Sequence, residues 1–367
     1  MTLYFSQYRL PTALYIVSRT KAHSNELSRA GKRVLFLKNT EAEILPAGHS
    51  FCLSESERAR ASLLCENDVL QISDNGIAFR LFSGVSDSQT LFITPRCNSN
   101  CVMCPSSTAS RCVGVPPSPN ELIEQVGYLA MDTKHITITG GEPFLLGDAL
   151  LRVFSELRNK LPACHYLLLT NGRALADKAF CEEVKRAIPE SIQMGIPIHG
   201  ATAAEHNRIT MTPGSFEQTM QGLKNLSGSN VAIEIRIVVS KLNYTDIMNI
   251  ARLIIAEIRH VHCVNFIGLE MLGNAAVNAE HIWIPYADAF SNCQKAIDLL
   301  VKSGIDVALY NFPLCAVPSG YRTLCARSIT ENKIVYAPVC AQCSQRLLCG
   351  GLFSGSYRYA ENDVKAI

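Results

Sequence analysis

The chain has 367 residues, enough for two or three domains, and 48% of them are hydrophobic against 18% charged, which excludes a disordered chain. A formal charge of +2, with 34 Lys and Arg spread without a run of five, leaves no electrostatic footprint for nucleic acid, and no apolar stretch reaches the ~18 residues needed to span a bilayer. The N-terminal stretch, broken by Arg9 and Pro11, does not read as an export signal, so a cytoplasmic protein with reduced thiols is expected.

Residues 1–88 read as a small β-rich domain, in which DVLQI-SDNG-IAFRLF (68–82) gives strand, Asn-Gly turn and strand. From Leu91 to Tyr310 short β-rich runs alternate with helical periods. The strands are LFIT (91–94), HITIT (135–139), YLLLT (166–170), IQMGIPI (192–198), VAIEIRIVVS (231–240) and VHCVNFIGLEM (261–271), with IDVALY (305–310) as a seventh. Most are rich in Val and Ile, as strands buried on both faces are. Between them Ser118-Pro119-Asn120-Glu121 forms a capping box with proline at the first helical position, and Ser215 with Gln218 is expected to form another. Phe290, Cys293, Ile297, Leu300 and Val301 make one helical stripe, ended by Gly304. Such a series fits a curved parallel barrel or an open doubly wound sheet. The tail after Pro313 is turn-rich with five cysteines, so the expected domains are 1–88, 89–312 and 313–367.

RCNSNCVMC, immediately after the first strand, spaces Cys97, Cys101 and Cys104 as C-x3-C-x2-C. Thiolates suit zinc or an iron–sulfur cluster, and a structural zinc would show four ligands. A four-iron cubane held by three cysteines leaves one iron open for a ligand that is not protein. After the second strand, TITGGEPFLL places Gly140, Gly141, Glu142 and Pro143, glycines whose missing Cβ permits close approach of backbone to a ligand.

Together these motifs resemble the radical S-adenosylmethionine superfamily. The resemblance implies a partial (β/α)6 barrel with both motifs at the C-terminal ends of successive strands. It also implies a [4Fe-4S] cluster on Cys97, Cys101 and Cys104, whose open iron chelates S-adenosylmethionine, with Gly140–Pro143 receiving the methionyl amino group. An electron from an external donor then cleaves the cofactor to a 5′-deoxyadenosyl radical. Arg236, in IEIRIVV, and Asn243 resemble cofactor-contacting positions after the fifth strand, although an arginine in an apolar strand equally suits a buried ion pair. His199, at the end of the fourth strand, reads as structural or as a further site residue.

In the tail, VCAQCSQRLLCGG supplies Cys340, Cys343 and Cys349, and the fourth thiol is Cys315 or Cys325. Cys315, at a rigid strand end, is the preferred choice. Four thiols suit a saturated auxiliary [4Fe-4S] cluster, as C-terminal extensions of radical enzymes do, or a structural zinc. Cys52, Cys65, Cys164, Cys181, Cys263 and Cys293 are expected to be small buried apolar residues.

At family level LFITPRCNSNCVMC, IPIHGATAAEHNRITMTPGSFEQTMQGLKNL and CAQCSQRLLCGGLF resemble the C-type radical maturase of the His-Xaa-Ser system. That implies a ribosomally made peptide with His-Xaa-Ser repeats as substrate and a second radical maturase as partner. The small β domain then either binds a leader along a sheet edge or covers a core. The alternatives are a radical enzyme acting on RNA or a small metabolite, and an iron–sulfur electron carrier, which the three-thiol count and Gly-Gly-Glu-Pro oppose. No membrane or nucleic-acid partner is expected.

Overall fold

The computed structural model describes residues 2–330 and 333–367 and divides the chain into two compact units. Unit 1 comprises Met1–Leu91, Ser118–Thr137 and Ser155–Tyr166; unit 2 comprises Phe92–Pro117, Ile138–Phe154 and Leu167–Ile367, so the cysteine-rich tail groups with the barrel residues.

Unit 1 is built on a seven-stranded sheet. Its strands are β1 (Thr2–Tyr4), β2 (Ala13–Ser18), β3 (Val34–Leu37), β4 (Glu41–Leu45), β5 (His49–Cys52), β6 (Val69–Ile72) and β7 (Ile77–Phe82), in the order β1-β7-β6-β2-β3-β4-β5. Neighbours are antiparallel except β2 and β3, whose parallel pairing follows from the intervening helix α1 (Lys21–Arg29), capped by Thr20. The expected hairpin is present, Val69 opposite Phe82 and Ile72 opposite Ala78. Gly76 closes its turn at φ +83°, where a Cβ would lie 2.2 Å from the Phe5 carbonyl oxygen. Phe5, Tyr8, Leu35, Leu70 and Ile72 are fully buried in this core, beside helix α2 (Glu55–Ala61).

The second sheet has eight strands: β8 (Ser88–Phe92), β9 (His135–Thr139), β10 (His165–Leu169), β11 (Ile192–Pro197), β12 (Ala232–Val238), β13 (Val261–Ile267), β14 (Asp306–Tyr310) and β15 (Cys325–Ala326). They lie in sequence order, parallel and curled into a half-barrel. β14 is the expected seventh strand, and the two-residue β15 extends the series beyond it, being too short to carry a periodic signal. One face of β11–β14 is apolar, with Ile196, Ile233, Ile235, Ile237, Val264, Phe266 and Leu309 all buried, while the alternate residues Gln193, Glu234, Arg236, Asn265 and Tyr310 line the other.

Helices α3 (Thr108–Val113), α4 (Pro119–Tyr128), α5 (Asp148–Lys160), α6 (Lys178–Ala187), α7 (Ala203–Thr210), α8 (Ser215–Leu226) and α9 (Ile247–Glu257) follow the strands, then α10 (Gly273–Val277), α11 (Ala279–Ile282) and α12 (Tyr286–Lys302). Two short strands, β16 (Ile334–Val335) and β17 (Leu352–Phe353), and helix α13 (Tyr357–Ala360) complete the tail. The Ser118–Glu121 capping box forms. The one expected at Ser215 does not, because Ser215 is already helical, Gly214 is the N-cap, and Asn207 of α7 accepts the Phe216 N–H at 2.9 Å. The α12 stripe is buried except for Val301, which is half exposed, and Gly304 follows at φ +76°. Cys164, Cys181 and Cys293 are buried and Cys65 and Cys263 partly so; Cys52 is exposed, because on edge strand β5 it is Phe51 that faces the core. No helix among the described residues is long and apolar enough to cross a membrane.

Candidate functional site

Cys97, Cys101 and Cys104 occupy the loop after β8, and the ends of later strands hold that loop from several sides. From the β9 end, Gly141 donates its N–H to the Thr94 carbonyl at 2.7 Å and Glu142 donates to Arg96 at 2.8 Å. A Cβ at Gly141 would lie 2.1 Å from the Arg96 carbonyl oxygen, and one at Gly140, whose φ is +155°, 2.3 Å from that of Thr94. The close approach that these glycines permit is therefore to the backbone that enters the cysteine loop.

Glu142 is fully buried. Its carboxylate accepts from Thr170 Oγ1 at 2.7 Å, the Asn171 N–H at 2.7 Å and the Phe144 N–H at 3.0 Å, which joins the β9 and β10 ends, while Pro143 opens a short 3-10 turn. Burial raises its pKa above the ordinary carboxylate value, against the pull of these donors and of Arg173. From the β10 end Asn171 donates to Asn98 Oδ1 at 2.7 Å, and the Arg173 guanidinium donates to the Asn98 carbonyl and to Ser99 Oγ. From α7, the Thr210 and Ile209 carbonyls accept the Asn100 and Val102 N–H groups.

The remaining clasp, in EMLGNAAVN, went unread in the sequence. Asn274 Nδ2 donates to the Cys101 carbonyl at 3.2 Å, Asn278 Nδ2 to that of Val102 at 3.1 Å, and the Ala275 N–H to that of Cys104 at 3.1 Å. Gly273 turns at φ +52°, where a Cβ would lie 2.3 Å from the Pro105 carbonyl oxygen. The available signal was a Gly-Asn pair just past a strand end, the position that carries function in parallel barrels.

The donor set fits an iron–sulfur cluster. Burial raises the Cys97 thiol pKa, opposed by the Ser99 N–H that donates to its sulfur at 3.4 Å; burial, with the neighbouring Cys104 and Cys97 sulfurs, pushes Cys101 up to about 12. Thiols that oppose one another's ionisation are stabilised as thiolates by a cationic core, and N–H···S bonds are among the features that tune such a core. Among the described residues no group of three or more His, Cys, Asp or Glu side chains is gathered as ligands of a single metal ion would be.

Arg236 pairs with Glu234, which also accepts from Asn265 and Gln193, and its guanidinium lies 5.6 Å from the Tyr310 ring centre. Asn243 is buried and closes a turn, accepting from the Ser240 N–H at 2.9 Å and donating to the His199 and Val238 carbonyls. His199 is buried against His206, ring centres 5.7 Å apart, with its Nδ1 unpartnered. Burial holds His199 well below the ordinary imidazole value and lowers His206 to about 4.

The tail is anchored at the same strand ends, where Ser356 Oγ donates to the Leu269 carbonyl and accepts from the Met271 N–H. Cys315, Cys340, Cys343 and Cys349 line one cleft there with Pro313 and Tyr336. Cys349 Sγ accepts from the Leu314 and Gly351 N–H groups, each at 3.4 Å. Cys325 instead lies on β15, paired with Leu309 of β14.

Residues 91–254 match the family model described as the Radical SAM superfamily. Among curated proteins, the AdoMet-dependent heme synthase of Nitratidesulfovibrio vulgaris is 26% identical over 168 residues, 44% of this chain and 42% of the relative. That of Oleidesulfovibrio alaskensis is 25% identical over 200 residues, 51% of this chain and 48% of the relative. The chain thus matches less than half the length of either relative. Among solved structures, Streptococcus suis SuiB bound to precursor peptide SuiA aligns with a TM-score of 0.47 and 14% identity, covering 60% of this chain and 48% of that one. Native anSMEcpe with bound AdoMet aligns with a TM-score of 0.48 and 18% identity, covering 60% and 63%. The segment that matches this family model holds the thiol loop and its Gly-Gly-Glu clasp.

Proposed function

We propose that the protein is a radical S-adenosylmethionine enzyme that modifies a ribosomally made peptide. The observation that carries the enzymatic reading is a loop of three thiols, without a fourth, built into the strand ends of a parallel half-barrel. Cys97, Cys101 and Cys104 would hold the cluster, which would supply the electron for reductive cleavage of S-adenosylmethionine. The chain's own residues fix the loop: Gly141 and Glu142 through backbone N–H groups, Asn171 and Arg173 through side chains, Asn274 and Asn278 through carboxamides. Gly140, Gly141, Glu142 and Pro143 would flank the cofactor, with Arg236, on the polar-lined face of β12, and Asn243, just beyond that strand.

In this reading the tail thiols hold an auxiliary four-iron cluster, with Cys315 as fourth ligand because it shares the cleft with Cys340, Cys343 and Cys349. The peptide substrate, the His-Xaa-Ser repeats and the second maturase rest on the resemblance of the thiol loop, the stretch after β11 and the closing cysteines to the His-Xaa-Ser family, the external electron donor on the superfamily resemblance, and the cytoplasmic location on the clustered thiols and the lack of an export pattern in the N-terminal stretch. The names of the curated relatives favour a second reading, a small-molecule substrate. Anaerobic incubation with reductant and S-adenosylmethionine should yield 5′-deoxyadenosine and change the mass of a His-Xaa-Ser peptide. No 5′-deoxyadenosine rejects the enzyme; its formation with no mass change in the peptide, but turnover of a porphyrin, favours the second reading.

A further inference from the structure

Arg111, on α3, is only 3% exposed, and its guanidinium lies against the cysteine loop. One terminal nitrogen donates to the Ser99 carbonyl at 3.4 Å, the other to Asn100 Oδ1 at 2.5 Å and Thr108 Oγ1 at 3.4 Å, and Nε has no partner among the described residues. All three acceptors are neutral. Among the described residues no carboxylate lies within ion-pair distance of it. A guanidinium is always protonated, and an uncompensated buried charge is costly enough that native proteins pair it. Ser99 and Asn100, which hold the guanidinium, lie between Cys97 and Cys101, so the charge is fixed to the segment that joins two of the three thiols.

We infer that Arg111 is the fixed counter-charge of the three-cysteine cluster, raising its reduction potential. This rests on the reading of Cys97, Cys101 and Cys104 as cluster ligands. Reduction adds one electron to a site already made negative by thiolates, so a fixed buried cation favours the reduced form, and net charge is among the factors that set such potentials. The arginine acts through the cluster and touches no substrate in this role, so it is a positioning and tuning residue. A strut that merely held Ser99 and Asn100 would need its hydrogen bonds but not its charge.

The test is redox titration of the full-length, anaerobically reconstituted protein, with the cluster signal assigned by its loss in a Cys97→Ala, Cys101→Ala, Cys104→Ala variant. Arg111→Gln, neutral but able to hydrogen-bond, should disfavour reduction about tenfold, a midpoint roughly 59 mV more negative, whereas Arg111→Lys should stay near the parental value. An unchanged potential in iron-replete Arg111→Gln overturns the inference. If Arg111→Gln does not load iron, Arg111→Lys decides: loading with near-parental potential supports the role of charge, and failure to load shows that guanidinium geometry alone matters. Absence of any signal that depends on the loop cysteines would instead reject the cluster reading itself.

Discussion

Gly141 shows how a single residue couples two motifs far apart in sequence. Because a Cβ would lie 2.1 Å from the Arg96 carbonyl oxygen, and that neighbour is backbone, even alanine must displace the chain entering the cysteine loop. Gly141→Ala is therefore expected to lose at least half of the iron held by Cys97, Cys101 and Cys104, not merely cofactor affinity. Iron analysis alongside equilibrium dialysis of S-adenosylmethionine separates the outcomes, and full iron with only weakened cofactor binding would point to the ligand as the glycine's close neighbour. The buried histidines give a second residue-scale expectation. His206, lowered to about 4 by burial, stays neutral in the fold while the unfolded chain protonates near 6.5. Its contribution is complete above 6.5 and is lost as pH falls from there through about 4. Urea midpoints between pH 7 and 4.5 should record about 2–3 kcal/mol from this residue, and His206→Asn, keeping an acceptor for the His199 N–H, should flatten that slope.

At the scale of elements, α10 and α11 form a clasp rather than a simple connection. Asn274 alone meets the Cys101 carbonyl, Asn100 Oδ1, and the Thr108 N–H and hydroxyl. Removing its carboxamide leaves buried partners unmet, at about 1–3 kcal/mol. Asn274→Ala should release iron to a chelator several-fold faster while leaving the circular dichroism of the fold unchanged; an unchanged release rate would show that the clasp does not restrain the loop. The cysteine spacing was legible because C-x3-C-x2-C is local, and so was the capping box at Ser118. The partners Asn274, Asn278 and Arg173 were not, since their role depends on which strand ends the curl of the sheet brings together. The cap of α8 shows the same limit: Ser215 and Gln218 have cap spacing, but Asn207 from the preceding helix supplies the acceptor.

At the scale of the whole chain, two thiol sets lie at the strand ends of one sheet, one following β8 and one in the tail that docks beyond β13. Full reconstitution should give about eight irons, halved by removing Cys97, Cys101 and Cys104. Cys343→Ala should still form 5′-deoxyadenosine but leave a cognate peptide unaltered, and Cys315→Ala should lose more iron than Cys325→Ala. Peptide modification at the parental rate by Cys343→Ala, or chelator-resistant zinc with only four irons, would make the tail a structural module.

The sequence by itself determined the alternation of strands and helices, the hairpin over residues 68–82 and the three-thiol loop, because these rest on periods and spacings within a few residues of one another. Tertiary structure alone decided that Gly141 serves the Thr94–Arg96 backbone and that Glu142 joins two strand ends. It also decided that Asn243 closes a turn, that Cys315 shares a cleft with the late cysteines, and that Arg111 lies buried against the cysteine loop with no carboxylate partner among the described residues. Each of these depends on contacts between segments tens of residues apart, where closeness is set by the curl and order of the strands and leaves no trace in local spacing.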